Sequence, residues 1–342
     1  MTYQRIHPGR GVHTPALLLA ILVAIGGCGG GKDTGADNSA ATSAPGDALL
    51  VYNAASVTRP VRAVLDSFTA HTGVRTEQET ASSLELARKV TELGAEPDVL
   101  LLADPDIFPK LLEPTFTTWY AIFARNRIVL GYTPKSKGAS EIDSTNWFKI
   151  LERPGVEVGR SDPQKDPSGY RTLLVWQLAA NHYKQPGLYN RMLEAAPPKN
   201  VRAREAEQVA LLQTGELDYI WTYQNLADNA GLKYVKLPGD VDLGSPADSN
   251  VYAQVSTRVL GKRAGDTVIF RGVPILFGAA IPVNAPHAKV AERFVAFLLS
   301  AEGARILRGH HLDALDHPVL IGNGIPKPVT DSLRVAPVVQ LP

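Results

Sequence analysis

Residues 158–171 read VGRSDPQKDPSGYR and run straight into the apolar stretch TLLVWQLAANHY, residues 172–183. Val156 and Val158 mark a strand end, the polar residues after them a turn, and the apolar run a helix. Asp166-Pro167-Ser168-Gly169 is the helix start. The aspartate can cap, and the proline brings a φ angle that is already helical. The first N–H groups of a helix lack intrahelical partners, and the helix dipole adds positive potential there. Such a start can hold an anion without any lysine or arginine. Alone, it reads equally as a plain strand–turn–helix connection. It gains functional weight because similar starts recur in the chain.

Working outward, residues 48–52 (ALLVY) form a strand that meets Asn53-Ala54-Ala55-Ser56. Val57, Val61, Val64, Leu65 and Phe68 then share one helical face, with Pro60 tolerated in the first turn. The pattern repeats as a strand over 74–80, then Ala81-Ser82-Ser83, then the apolar face Leu84, Ala87, Val90 and Leu93. Glu85 and Glu92 point elsewhere, to solvent. A serine at a helix start is an N-cap in its own right. Two of them at strand ends of one sheet point to a shared site.

Residues 97–103 (PDVLLLA) read as a strand buried on both faces. Asp104-Pro105-Asp106 opens a short helix, with capping preferred over a metal pair. Residues 119–132 (WYAIFARNRIVLGY) read as a strand whose second half crosses between two lobes. A polar loop over 135–144 and a short helix over 147–151 follow.

Beyond the opening stretch come a Pro/Lys-rich loop over 196–200, a helix over 204–214 stopped by Gly215, and a strand over 217–223 ending at Thr222-Tyr223. Further strands are expected over 233–237 and 251–258. Residues 274–281 are the return crossing. A helix across 288–307 presents Val290, Phe294, Phe297 and Leu298. The segment HHLDALDH, 310–317, is dense in metal-ligand residue types, with His310, His311, Asp313 and His317 as weak candidates. Its spacing matches no standard site and Pro318 breaks any helix there, so it reads as an exposed terminal loop.

The N-terminus has a different character. Arg5, Arg10 and two histidines precede the apolar run ALLLAILVAI, 16–25, too short for a permanent span and suited to a signal peptide. It ends in Ile25-Gly26-Gly27-Cys28, similar to the lipobox of bacterial lipoproteins, in which the cysteine thiol carries the lipid. Cys28 is the only cysteine, so no intrachain disulfide can form. Residues 29–47 hold no large apolar side chain and read as a flexible tether.

The whole chain has 35 basic and 34 acidic residues. Loss of Arg5 and Arg10 with a 27-residue signal leaves 35 − 2 = 33 against 34, a net charge of −1. Such a balance excludes a general nucleic-acid binder. About 295 residues remain after the tether, more than one small core requires.

The alternation of strands and helices with two crossings suggests an α/β doubly wound clamshell. The expected organisation is signal 1–27, tether 28–47, first lobe 48–129 and 278–326, second lobe 130–277, and tail 327–342. A monomer, exported and lipid-anchored at Cys28 to the outer side of a membrane, is expected.

Enzymatic signatures are missing from the sequence: there is no G-x-S-x-G, Walker motif, H-E-x-x-H, or strand followed by G-x-G-x-x-G. A binding protein is therefore expected rather than an enzyme.

Residues 51–57 (VYNAASV), 82–94 (SSLELARKVTELG), 97–104 (PDVLLLAD), 119–133, 146–171, 215–227 (GELDYIWTYQNLA) and 272–286 carry a further likeness. Together they resemble the archaeal-type tungstate/molybdate-binding proteins of ABC importers, over residues 50–326. The resemblance implies a periplasmic-binding-protein type II fold with the ligand site between the lobes. It implies a tetrahedral oxyanion as bound ligand, no cofactor, and a membrane permease with its ATPase as partners.

By position, Ser56, Ser82 and Ser83 fall in the first-lobe half of the implied site. Asp166, Ser168, Gly169, Tyr170, Thr222 and Tyr223 fall in the second. Ala55 and Ser82 stand where the family has glycines, and Ser168 replaces a cysteine. Thr222 replaces the glutamate of the family's Phe-Glu-Tyr, which together with the aspartate at position 166 ligates the metal centre in family members. Glu205 or Glu207 could substitute only if their helix faced the cleft, which is not expected. Another oxyanion such as sulfate, or a sensor without a transporter, are the alternative readings.

Overall fold

The computed structural model describes residues 48–261 and 265–333. The signal peptide, Cys28 and the tether expected from the sequence lie outside these residues.

The chain opens with β1 (Leu49–Ala54), a 3₁₀ turn (Ala55–Val57), α1 (Thr58–Thr72), β2 (Thr76–Ala81), α2 (Ser83–Leu93) and β3 (Val99–Leu102). All four residues of β3 are buried, as its unbroken apolar run requires. The strands β1, β2 and β3 are parallel, with β1 between the other two. Each helix therefore starts at a strand's carboxyl end, on one edge of the sheet. Leu93, expected on the apolar face of α2, is 76% exposed, because the helix ends there and Gly94 turns left-handed.

After a π turn (Phe108–Leu112), β4 (Trp119–Asn126) stays in this sheet, whereas β5 (Ile128–Tyr132) belongs to the next. Arg127 is the crossing point. Next come α3 (Trp147–Leu151), β6 (Val158–Ser161), α4 (Pro167–His182), α5 (Leu188–Ala195), β7 (Val201–Arg202), α6 (Glu205–Thr214), β8 (Tyr219–Tyr223), α7 (Gln224–Asn229), β9 (Lys233–Val235) and α8 (Ser249–Tyr252). The second sheet runs β7-β6-β8-β5-β9, with β6 parallel to β7 and β8. Its core includes Trp147, Trp176 and Trp221, all fully buried. Trp221 lies edge-on to both others, at centroid distances of 5.1 and 5.9 Å.

A hairpin follows, β10 (Ser256–Leu260) and β11 (Thr267–Arg271). The strand expected over 251–258 is thus a short helix and only then a strand. The hairpin's Val259 and Phe270 are buried in one apolar cluster with Leu84, Leu100, Tyr120 and Tyr170, so it bridges the two halves.

The chain returns to the first sheet in β12 (Ile275–Ala280). The helix expected across 288–307 is two, α9 (Ala288–Leu298) and α10 (Ala301–Gly309), because Ser300 caps the second by accepting from Gly303 N at 3.2 Å. Residues 310–317, expected as an exposed loop, instead lead into β13 (Asp313–Gly322), antiparallel to β4 at the sheet edge. Pro318 falls where the register shifts between Ala314 and Val319, an irregularity that accommodates its missing N–H. Part of the expected tail is ordered too: α11 (Lys327–Ser332) packs on α9 and buries Val329. The first sheet runs β13-β4-β12-β3-β1-β2. Among the described residues no helix is long and apolar enough to cross a membrane.

Candidate functional site

The helix starts singled out in the sequence meet where the two halves touch. Leu84 N, in the first turn of α2, donates to the Lys165 carbonyl just before α4, at 3.2 Å. Asn225 Nδ2 of α7 donates to the Ser56 carbonyl at 2.8 Å, and Asn225 Oδ1 accepts from Asn126 Nδ2 at 2.7 Å. Ser56, Ser82, Ser83, Asp166, Ser168, Tyr170, Thr222 and Tyr223 are all buried.

Their polar atoms are not equally free. Ser82 donates to Glu85 Oε2 at 3.3 Å, an N-terminal box that engages its hydroxyl hydrogen. Ser83 Oγ accepts from Ala103 N at 2.9 Å, which leaves its hydroxyl hydrogen to donate. Asp166 is the N-cap of α4: its Oδ1 accepts from Ser168 N at 2.8 Å, with Pro167 in the first turn. The expectation that this aspartate can cap is met, and its second oxygen is not used by the cap. Gly169 is there for space. A Cβ on it would lie 2.6–2.7 Å from Asp162 C, Ser161 O and Pro163 N, so only glycine lets α4 start this close to the end of β6.

Tyr170 and Arg171 form a layer behind the site. The Tyr170 hydroxyl donates to Asp104, and its ring stacks on Phe270 of the hairpin at 4.7 Å. Arg171 pairs with Asp104 at 3.1 Å and donates to the Ala103 carbonyl and, at 2.7 Å, to the Tyr223 hydroxyl. Asp104 also accepts from Asp106 N at 3.0 Å, the cap expected from the sequence. Its partnership with Arg171 across the two halves was not legible there.

Glu205 is the main departure from the sequence reading. The helix carrying it was not expected to face the cleft, yet α6 begins against the Ala55–Val57 turn and Glu205 is 1% exposed. Its Oε1 accepts from Thr222 Oγ1 at 3.2 Å and from Tyr223 N at 3.1 Å. The cause is close packing of α6 on β6. Gly159 leaves room for the Gln208 side chain, whose Nε2 donates to the Arg160 and Asn200 carbonyls at 2.6 and 3.0 Å. A signal was present: Glu205, Gln208, Val209 and Leu212 follow the i, i+3, i+4, i+7 spacing of a buried face, and all four are buried. Glu207 lies off that face and pairs with Arg204 at 3.1 Å.

The electrostatics follow from burial. It pushes the Asp166 carboxyl up to about 6, against the opposing help of the Ser168 N–H and of Arg171. Burial first, and then the neighbouring Asp166 charge, raise the Glu205 carboxyl well above its ordinary range. Beside them the buried Ser168 hydroxyl favours the charged form of both carboxyls and opposes these shifts. Between α1 and α6 a groove of about 580 Å³ is lined by Ser56, Thr58, Pro60, Ala206, Ala210 and Leu226.

The weak metal candidates do not assemble. Asp313 pairs with Arg125 at 2.6 Å, and His310 caps the end of α10. Among the described residues no three His, Cys, Asp or Glu side chains are grouped to hold a metal ion.

Comparison with known proteins agrees with this architecture. The family model for bacterial extracellular solute-binding proteins matches residues 49–313. An uncharacterized solute-binding protein of Petrotoga mobilis is 39% identical, over 79% of this chain and 84% of its own. The molybdate/tungstate-binding protein WtpA of Pyrococcus abyssi is 33% identical, over 89% of this chain and 94% of its own. Among solved structures, the periplasmic molybdate-binding protein of Azotobacter vinelandii superposes with a TM-score of 0.52 at 18% identity, covering 77% of this chain and 98% of that one. The sulfate-binding protein SubI of Mycobacterium tuberculosis does so with 0.54 at 16% identity, covering 85% and 92%. At such identities these two likenesses speak for the fold alone.

Proposed function

We propose a cargo and a route for a chain that belongs to the bacterial extracellular solute-binding protein family: it captures a tetrahedral oxyanion, molybdate or tungstate, between its lobes and delivers it to an ABC permease. What carries this reading is the meeting of Ser83 at the start of α2 with Asp166 and Ser168 at the start of α4, bridged by the Leu84 N–H on the Lys165 carbonyl. The identity to WtpA along most of both chains supports this cargo class. Helix starts and hydroxyl donors suit an oxyanion, and a buried site rewards closure around it.

In this reading Ser56 and Ser83 contact the anion from the first lobe, and Asp166, Ser168 and the Thr222–Tyr223 strand end from the second. Tyr170 and Arg171 hold the lobes together behind it. The Asp166 oxygen that does not cap α4 is the one able to approach the cargo's metal centre. A carboxylate beside a plain sulfate would only repel it, so the metal-centred anions are favoured. Cys28 carries the lipid that keeps the protein at the outer membrane surface near the permease.

Thermal unfolding in the presence of molybdate, tungstate, sulfate, phosphate and chromate tests the cargo. Binding raises the unfolding temperature by mass action, so tungstate and molybdate should stand clear of the others. An equal or larger shift with sulfate would overturn the assignment.

A further inference from the structure

Two buried acids, Glu205 at the start of α6 and Asp166 at the start of α4, lie close enough to repel each other when both are charged. Resting on the oxyanion reading, we propose that Glu205 is a proton-holding specificity residue: it takes up a proton as the lobes close and donates it in a hydrogen bond to the captured oxyanion.

The geometry supplies the reason. Glu205 Oε1 is occupied by two donors, Thr222 Oγ1 and Tyr223 N, which leaves Oε2 as the oxygen able to carry a proton. The buried Ser168 hydroxyl lies beside both acids. The charged groups around α6 do not neutralise the acid. Arg171 of α4 is committed to Asp104, the Ala103 carbonyl and the Tyr223 hydroxyl. From the helix itself, Arg204 pairs with Glu207. From β6, the Arg160 guanidinium stands over the Trp176 ring at 5.8 Å, and from β7, Arg202 donates to the Lys199 and Val201 carbonyls. Facing Glu205 from the α4 start is a second acid, Asp166, with Asp162 just beyond it. Tyr223 and Tyr170, both buried, keep their protons.

A dianion cannot enter beside two ionised carboxylates without severe repulsion. Asp166 has the α4 cap and the pull of Arg171 to keep its charge, so the proton goes to Glu205. In an open, hydrated cleft both acids are ionised at neutral pH. Closure therefore draws one proton from solvent, and Glu205 becomes a donor in place of a repelling charge.

Titration calorimetry with molybdate and with sulfate, both fully ionised between pH 6 and 8, tests this in buffers of different ionisation heat. Wild type should take up about one proton per anion at pH 8, and its affinity should fall by up to tenfold per pH unit as pH rises. Glu205→Gln keeps an N–H donor without a titrating group: proton uptake should vanish and the affinity should become flat across that range. Proton uptake by wild type is measured without any variant, so a poorly folding variant does not stall the test. Binding without proton uptake, or a Glu205→Gln protein that keeps the wild-type pH slope, would overturn the inference while leaving the oxyanion reading intact. So would a loss above a hundredfold for molybdate at pH 6 with sulfate unaffected, since Glu205 would then be an ionised ligand of the metal centre. Failure of every oxyanion to bind at any pH would overturn the oxyanion reading and this inference with it.

Discussion

Arg171 of α4 and Asp104 at the end of β3 meet at 3.1 Å with side chains 2% and 3% exposed, one from each half of the molecule. A pair so fully removed from water ties the halves together at a cost in desolvation that its own attraction and its extra hydrogen bonds must offset. Tyr170, Tyr223 and the Ala103 carbonyl supply those bonds.

Removing one partner strands the other. Asp104→Ala should lower the unfolding free energy by about 3–5 kcal/mol, measured by urea denaturation. The double variant Asp104→Ala/Arg171→Met, with neither charge left, should lose clearly less than the single one. Equal losses would mean that the pair is not coupled.

Thr222 holds Glu205 through a hydrogen bond of 3.2 Å. A glutamate at 222 therefore does not restore a missing carboxylate; it adds a third acid beside two buried ones. Thr222→Glu should weaken tungstate and sulfate alike, by roughly 3–5 kcal/mol on the scale of an uncompensated buried charge. Adding Glu205→Gln to that variant should recover part of the tungstate affinity. Tungstate binding by Thr222→Glu as tight as wild type, seen by calorimetry, would show that the two side chains are alternatives.

The Asp166 carboxyl is raised to about 6 in the folded protein, against an ordinary value near 4 in the unfolded chain. Between those values the folded state binds more protons than the unfolded one. The contribution of this group is therefore fully present below pH 4 and is lost as pH rises through 6. Asparagine caps a helix as well as aspartate does but does not ionise. Ligand-free Asp166→Asn should thus be more stable than wild type above pH 6, by up to about 3 kcal/mol, with the gain vanishing toward pH 4. Thermal or urea unfolding across pH 4–8 measures it, and a gain that grew toward acid would contradict the burial argument.

Replacing Cys28 with serine should block metabolic labelling of the protein by fatty acid and release it from the membrane fraction. Labelling that persisted in the serine variant would refute lipidation at this residue.

Much of this architecture was legible in the sequence because local chemistry and tertiary role coincide. The all-apolar β3, the Asp166-Pro167 start of α4, and Gly215 ending α6 each carry their structure in their own residues. The hairpin of β10 and β11 was missed, since Leu260 and Ile269 are exposed while Val259 and Phe270 find their burial against distant residues. The placement of Glu205 depended on how closely α6 approaches Gly159, a contact between segments far apart in the chain. Its spacing with Val209 and Leu212 was readable, but an acid on a buried face is easily taken for a solvated one. The Asp104–Arg171 pair has no local signature at all. It exists because the halves come together.

The tryptophan cluster of the second lobe has an optical consequence. Three of the chain's four tryptophans, Trp147, Trp176 and Trp221, are sealed from water, and Trp221 lies 5.1 and 5.9 Å from the other two. Light absorbed by any of them is shared, so their emission behaves as one signal. Trp221 is the covalent neighbour of Thr222, whose hydroxyl donates to Glu205. The protein thus contains a built-in fluorophore one peptide bond from the residue that holds Glu205, so a ligand that displaced Thr222 should change the emission without any attached dye.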